Sequence, residues 1–312
     1  MQTIFTLTIN PTIDTNATVD HVVAERKLRC QPPRHEPGGG GINVSRAIRK
    51  LGGTSLAVYP VGGPTGHLLQ HLLEQEGLTL HAVPIGEWTR ENFVILEEAT
   101  GQQFHFVMPG PTLQEAEWQQ CLDVLSTLTP PPAYIVASGS LPPGVPTDFY
   151  ARVARIGQQR SARVLIDTSG DALRAAIREG VYVFKPNLQE LSDLAGHDLL
   201  DETQQEEAAE ELVRKAHCEA VVLSLGAAGV LLVSATGCER LRALTVPVVS
   251  KIGAGDSTVA GIVLSLARGM ALRDAVLFGI ATGAAAVMTP GTELCRREDT
   301  ERLYARLRAV AA

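Results

Sequence analysis

Gly253-Ala254-Gly255-Asp256-Ser257 stands directly ahead of an apolar stretch with helical spacing. Two glycines free the backbone to expose consecutive N–H groups at a helix start, where the donors lack intrahelical acceptors and the dipole is positive. Such a turn binds phosphate oxygens. Asp256, in the first helical turn, can take a proton from an attacking hydroxyl. An aspartate behind a glycine turn is equally an ordinary helix cap. A second glycine turn, Gly38-Gly39-Gly40-Gly41, leads into Ile42-Asn43. It allows close approach of backbone to a ligand, and Asn43 offers both a donor and an acceptor to sugar hydroxyls. It is not a G-x-G-x-x-G turn in register with a preceding strand, and the G-x-x-x-x-G-K-[ST] loop is absent, so the usual dinucleotide and P-loop signatures are missing.

Lys185-Pro186-Asn187-Leu188-Gln189-Glu190 joins a strand-like run to a helix. Lys185 can meet a phosphate. Asn187 and Glu190, one turn apart, can orient waters on Mg²⁺ or simply close a capping box. Ser224-Leu225-Gly226-Ala227-Ala228-Gly229 is a small-residue turn against which a flat ring can lie; a plain turn reads the same. Lys27, Arg29 and Arg90 are cations in polar stretches of an acidic chain. They can hold a phosphomonoester or be solvated surface charge. Asp14 can bind sugar hydroxyls or form an Asx turn after Asn10-Pro11. The eight histidines show no metal-ligand spacing, and no G-x-S-x-G nucleophile turn occurs.

Those residues need a frame. IFTLTI (Ile4 to Ile9), SLAVYPVG, AYIVASG, RVLIDTSG, VYVFKPN and EAVVLSLG read as short strands, most of them followed by a helix-patterned stretch. That alternation predicts a parallel sheet of βαβ units. Asp14 to Pro37 and Glu87 to Met108 read as excursions, the second a hairpin around Thr100-Gly101. GVLLVS and the stretch from Leu244 to Val249 read as a hairpin edge. Two small-residue helices, Gly255 to Arg268 and Leu272 to Met288, precede a last amphipathic one.

The 312 residues are 45% hydrophobic but only 4% aromatic, which suits an Ala/Val/Leu/Ile core around a buried parallel sheet. A net charge of -7 excludes a general nucleic-acid surface. Five single cysteines (Cys30, Cys121, Cys218, Cys238, Cys295), with no C-x-x-C pair, argue for reduced thiols and a cytoplasmic protein. No basic region precedes the first apolar stretch, so no signal peptide is read, and no apolar run is long enough to span a membrane.

In this order, TLTINPTID, PGGGGINVSRA, VASGSLPPGV, IDTSG, KPNLQEL, VVLSLGAAG and IGAGDS resemble the PfkB/ribokinase family of carbohydrate kinases, from Thr6 to about Cys295. KLRC (Lys27 to Cys30), EPGGGGINV, EWTR (Glu87 to Arg90) and FVMPG (Phe106 to Gly110) carry a closer likeness to a branch acting on fructose 6-phosphate. The resemblance implies a single ribokinase-like α/β/α domain over 1–312, with a mostly parallel central sheet. A small β-sheet lid comes from insertions at about 14–36 and 87–108, and the lids of two subunits clasp into a homodimer. It implies transfer of the γ-phosphoryl group of ATP to the sugar 1-hydroxyl. Tagatose 6-phosphate, fructose 1-phosphate and a non-catalytic sugar-phosphate sensor are the neighbouring readings; a Rossmann oxidoreductase lacks its fingerprint.

By the same resemblance Asp256 is the base, and Gly253, Ala254 and Gly255 form the anion hole. Asp14, Gly39, Gly40, Asn43, Arg90, Ser138 and Ser140 contact the sugar phosphate, with Lys27 and Arg29 near its phosphate. Lys185, Asn187, Ser224, Gly226 and Gly229 line the ATP site. Glu190 organises Mg²⁺ through water. Ser250, Ile252, Ala286, Thr289 and Gly291 offer oxygens to K⁺, and ATP binds a second, inhibitory site. Lys251 replaces a small hydroxyl residue common in relatives, and Glu293 stands where some carry a basic one.

Overall fold

The computed structural model describes residues 2–215 and 218–311. From the N-terminus the chain runs β1 (Ile4–Leu7), β2 (Thr12–Val19), β3 (Arg34–Gly38), α1 (Gly40–Lys50), β4 (Leu56–Val61), α2 (Gly63–Gln75), β5 (Thr79–Pro84), β6 (Arg90–Glu97) and β7 (Gln103–Phe106). It continues through α3 (Glu115–Thr127), β8 (Tyr134–Ser138), α4 (Phe149–Gln159), β9 (Arg163–Asp167), α5 (Gly170–Glu179), β10 (Val181–Phe184), α6 (Leu188–Ala195) and α7 (Glu202–Arg214). It closes with β11 (Cys218–Ser224), β12 (Val230–Ser234), β13 (Gly237–Leu241), α8 (Ala254–Ala267), α9 (Leu272–Val287) and α10 (Arg297–Ala311).

Nine strands form the central sheet in the order β13-β12-β11-β10-β9-β8-β1-β4-β5, parallel from β11 to β5, with β12 and β13 antiparallel at one edge. Successive strand residues alternate between two cores. Ile4, Tyr134, Val136, Leu165 and Val222 pack with α1, α8 and α9; Phe5, Leu7, Ile135, Ala137, Val164 and Val221 pack with α3, α4 and α5. A sheet covered on both faces needs apolar side chains at every position, hence the unbroken β-branched runs. The strand order turns back between β1 and β8. In an open parallel sheet the crevice at the C-terminal ends beside such a switch is where ligands sit.

The second sheet is separate, in the order β3-β2-β6-β7. β2 pairs parallel with β6 and antiparallel with β3, and β6 and β7 form the hairpin expected around Thr100-Gly101. Register sets Asp14 opposite Glu36 on one side and Asn92 on the other.

Two local expectations need correction. β1 ends at Leu7, two residues before the end of the IFTLTI run. β12 takes its hairpin partner from Gly237–Leu241, not from 244–249. The latter stretch contains Pro247, which cannot donate to a ladder, and leaves Val248 and Val249 60% and 58% exposed. The first excursion carries most of β2 and β3, strands of the small sheet expected there. All five cysteines are free, and among the described residues no helix is long and apolar enough to cross a membrane.

Candidate active site

α1 and α8 both begin at the crevice beside β1 and β8. Gly39, the residue before α1, has φ 112°, closed to most side chains. A Cβ on Gly40 would run into the Ser138 hydroxyl at the end of β8, and one on Gly38 into the Asp14 carboxylate. The turn is therefore seated between β8 and β2, and the Ile42 amide is fastened to the Thr8 hydroxyl at 2.7 Å. α8 is entered through Gly253, at φ 72°. Its first amides, on Ala254, Gly255 and Asp256, face the positive end of the dipole without intrahelical acceptors.

Asn43 and Asp256, the first turns of these two helices, meet: Asn43 Nδ2 donates to Asp256 Oδ2 at 2.9 Å. Burial, then the charge of Asp167, pushes the Asp256 carboxyl up to about 6, against the pull of Asn43, Lys185 and Arg46. A carboxylate ionised near neutrality yet more basic than usual suits a general base. Lys185 is buried at the end of β10, its Nζ 3.5 Å from Asp167 Oδ1 and 3.7 Å from the position a Cβ on Gly255 would take.

On the side of the second sheet, Asp14 accepts from Asn92 Nδ2 at 3.1 Å. Burial raises its carboxyl, against Asn92 and Arg90. Arg90 spans the mouth, donating to the Met108 and Asn10 carbonyls at 2.7 and 3.0 Å. Asn10 donates in turn to the Ser140 hydroxyl at 3.3 Å. Lys27 and Arg29 are not brought into this cluster: both are exposed on the segment between β2 and β3, with no hydrogen bond or ion pair among the described residues.

On the other side, Asn187 and Glu190 close the capping box of α6. The Glu190 amide donates to Asn187 Oδ1 and the Asn187 amide to Glu190 Oε2, each at 2.9 Å. Burial raises the Glu190 carboxyl. Asn187 bridges Ser224, so the ends of β10 and β11 lie together, and the Ser224 amide donates to the Pro186 carbonyl at 2.8 Å. Gly226 and Gly229 take φ 58° and 105°; Gly226 is exposed, with open space at its Cβ position.

Ser250 and Gly291 are joined, hydroxyl to carbonyl, at 3.2 Å, and the same hydroxyl accepts from the Ile252 amide. The Thr289 hydroxyl donates to the Ala286 carbonyl at 2.8 Å. Glu293 turns away from this loop to pair with Arg296 at 2.8 Å, and Lys251 is exposed. Glu36, on β3, reaches the loop: its Oε2 accepts from the Thr292 hydroxyl at 2.8 Å and from Asn16 at 2.9 Å.

Asp167, Arg46, Glu76, Asn92 and Glu36 belong to the site although their residue types alone did not single them out. Asp167 had a usable signal, an acid at the C-terminal end of a parallel strand.

The model of the pfkB family of carbohydrate kinases matches residues 7–299. The chain is 46% identical over 301 residues to the ATP-dependent 6-phosphofructokinase isozyme 2 of Mycobacterium tuberculosis, covering 96% of this chain and 88% of that protein. It is 41% identical over 308 residues to the isozyme 2 of Escherichia coli, covering 98% and 99%. Phosphofructokinase-2 from E. coli in complex with potassium superposes with a TM-score of 0.94 at 41% identity, covering 99% of this chain and 100% of that one. The same protein in complex with fructose-6-phosphate gives 0.92 at 40%, with the same coverage. Its tetrameric inhibited form gives 0.93, also at 40% and the same coverage.

Proposed function

The chain belongs to the pfkB family of carbohydrate kinases, is an ATP-dependent sugar kinase, and, we propose, transfers the γ-phosphoryl group of ATP to the 1-hydroxyl of fructose 6-phosphate. The observation that carries this reading is the meeting of Asp256 with Asn43 at the amide-rich start of α8, between the tetraglycine turn and Lys185.

Phosphoryl transfer asks a protein for positioning and charge neutralisation more than for covalent help. Asp256 accepts the proton of the 1-hydroxyl as that oxygen bonds to the γ-phosphorus. The bond from phosphorus to the bridging oxygen breaks, leaving ADP and fructose 1,6-bisphosphate. The Gly253–Gly255 amides and Lys185 face the charge that spreads over the transferring oxygens. Asp14, Asn43, Gly39, Gly40, Ser138 and Ser140 hold the sugar. Arg90, with Lys27 and Arg29 brought in from their exposed segment, holds its phosphate. Asn187, Ser224, Gly226 and Gly229 line the nucleotide.

For Mg²⁺ the donors fit: Glu190 keeps one oxygen outside its cap, and Asp167 stands close enough to raise it. A hard ion that retains several waters needs only one or two carboxylates. Bound with ATP, Mg²⁺ supplies neutralisation of the phosphate oxygens. For K⁺, Ser250, Ile252, Thr289 and Gly291 offer oxygens only, the right chemistry. Ala286 is the weakest of the set, since Thr289 already donates to its carbonyl twice.

The whole chain works as one kinase domain, with the second sheet as a lid that keeps water from the γ-phosphoryl group. Two lids pair in a homodimer, and five free thiols fit a cytoplasmic setting. The test is a coupled assay of ADP release with fructose 6-phosphate, tagatose 6-phosphate and fructose 1-phosphate, with and without K⁺. Fructose 6-phosphate is expected to give the highest kcat/KM. A higher value for another sugar reassigns the substrate, and no turnover with any supports a sensor.

A further inference from the structure

Arg46 follows Asn43 by one turn of α1 and is 3% exposed. A guanidinium so buried is costly unless its donors are met. Glu76, just past α2, takes Nε at 2.9 and 3.0 Å and Nη2 at 2.8 Å. Nη1 donates to the Pro37 carbonyl at 2.9 Å and to Asn43 Oδ1 at 3.3 Å. The first contact pins the chain immediately ahead of the four glycines. The second decides which end of the Asn43 amide faces Asp256. Arginine only donates, so Oδ1 turns to Arg46, and Nδ2 is the end left to donate to Asp256. A flipped amide would set oxygen against oxygen at Asp256 and N–H against N–H at Arg46.

Resting on the reading of Asp256 as the base, we infer that the Glu76–Arg46 pair is a positioning device, acting through Asn43 to hold the Asp256 carboxylate in one orientation toward the attacking hydroxyl. Neither residue is a catalytic one. The charged groups that act on Asp256 are Asp167 from β9, Lys185 from β10 and Arg46 itself from α1. Only the last works through an amide whose direction it sets.

The experiment is a double-mutant cycle in steady-state kinetics with ATP and fructose 6-phosphate: Arg46→Met, Asn43→Ala and both together, with Arg46→Lys and Asp256→Asn alongside. Arg46→Met is expected to lower kcat by about 10- to 10²-fold, the scale of a reacting group displaced by about an ångström, with KM for ATP unchanged. The acid limb of its kcat profile moves to higher pH, because the carboxylate loses a donor while Asp167 stays. Arg46→Lys recovers part of the rate. On the Asn43→Ala background, Arg46→Met costs little more, since the path is already cut. Additive losses with an unmoved acid limb would make Arg46 merely structural and overturn the inference. Because Arg46→Met can loosen α1, Glu76→Gln is read in the same cycle: a loss of kcat that the Asn43→Ala background absorbs is expected, and one that adds to that of Asn43→Ala also overturns it. Wild-type turnover by Asp256→Asn removes the base reading and this inference with it. A silent Asp256→Asn beside a wild-type-like Arg46→Met removes the inference alone.

Discussion

Lys185 Nζ stands 3.5 Å from Asp167 Oδ1 where β9 and β10 end side by side, and both act on Asp256 in opposite senses. Asp167 raises the Asp256 carboxyl and Lys185 lowers it, around a resting value of about 6. A base must be ionised to work, so kcat/KM for the sugar is expected to fall below about pH 6. Asp167→Asn removes a neighbouring negative charge and moves this limb to lower pH. Lys185→Met removes the positive one and moves it to higher pH, with an increase in KM for ATP. Rate profiles from pH 4.5 to 8.5 check both; limbs that stay put in both variants detach the profile from Asp256.

Replacing the base separates activity from stability. Asp256→Asn keeps the shape and a carbonyl for Asn43 while removing the proton acceptor, so kcat drops by ~10²–10⁴, the range for a lost general base. The fold is expected to gain. A carboxyl raised from 3.8 to about 6 favours the protonated form in the folded state. Its ionisation therefore costs stability as pH rises through that window, up to ~3 kcal/mol above it. Thermal melts should show Asp256→Asn more stable than the parent at pH 7.5 and level with it below pH 4. Equal melting temperatures at both pH values would mean that Asp256 is not strained by its burial.

The second sheet carries its own signal of a partner. Phe93 and Phe106 pair in register, so they share a face, and they are 37% and 50% exposed. Exposed aromatics in one patch mark an interaction surface. If two copies pair through this sheet as proposed, Phe93→Lys together with Phe106→Lys is expected to lower the mass seen by light scattering to that of a single chain and to raise KM for the sugar, because the proposed lid loses its support. An unchanged mass would remove this face from the proposed pairing.

Most of the frame was legible because the central sheet is covered on both faces, which forces runs such as AYIVAS and AVVLS. The glycine turns were legible because positions like Gly39 and Gly253 exclude side chains. What escaped has a common cause. The bounds of β3, RHEPG, escaped because its three polar residues, a proline and a glycine carry no apolar alternation at a sheet edge. The run at 244–249 has the composition of a strand but a proline where a donor was needed. Arg46, Glu76 and Asn92 have ordinary types at ordinary spacings. Their roles come from tertiary register, such as the approach of Asn43 to Asp256 across 213 residues, which no local pattern encodes.

Glu36 ties the second sheet to the loop proposed to hold K⁺. Its Oε2 takes the Asn16 amide from β2 and both the amide and the hydroxyl of Thr292, one residue past Gly291. Asp14 is its register neighbour, so β2 and the loop at Thr292 share one carboxylate oxygen. Thr292 is 2% exposed, and Thr292→Val keeps its shape while removing the hydroxyl donor. A half-buried carboxylate that loses one of its donors is held less firmly, by at most about 1.5–3 kcal/mol, the scale of a hydrogen bond to a charged group. If the loop is ordered by both Glu36 and K⁺, Thr292→Val should need several-fold more K⁺ for half-maximal rate and show a raised KM for the sugar. Its kcat at saturating K⁺ and substrates should remain near that of the parent. Titrating KCl at constant ionic strength checks this. A variant with the parent's K⁺ curve and a raised sugar KM would confine the role of Glu36 to the second sheet, because the loop at Thr292 would then be ordered without it.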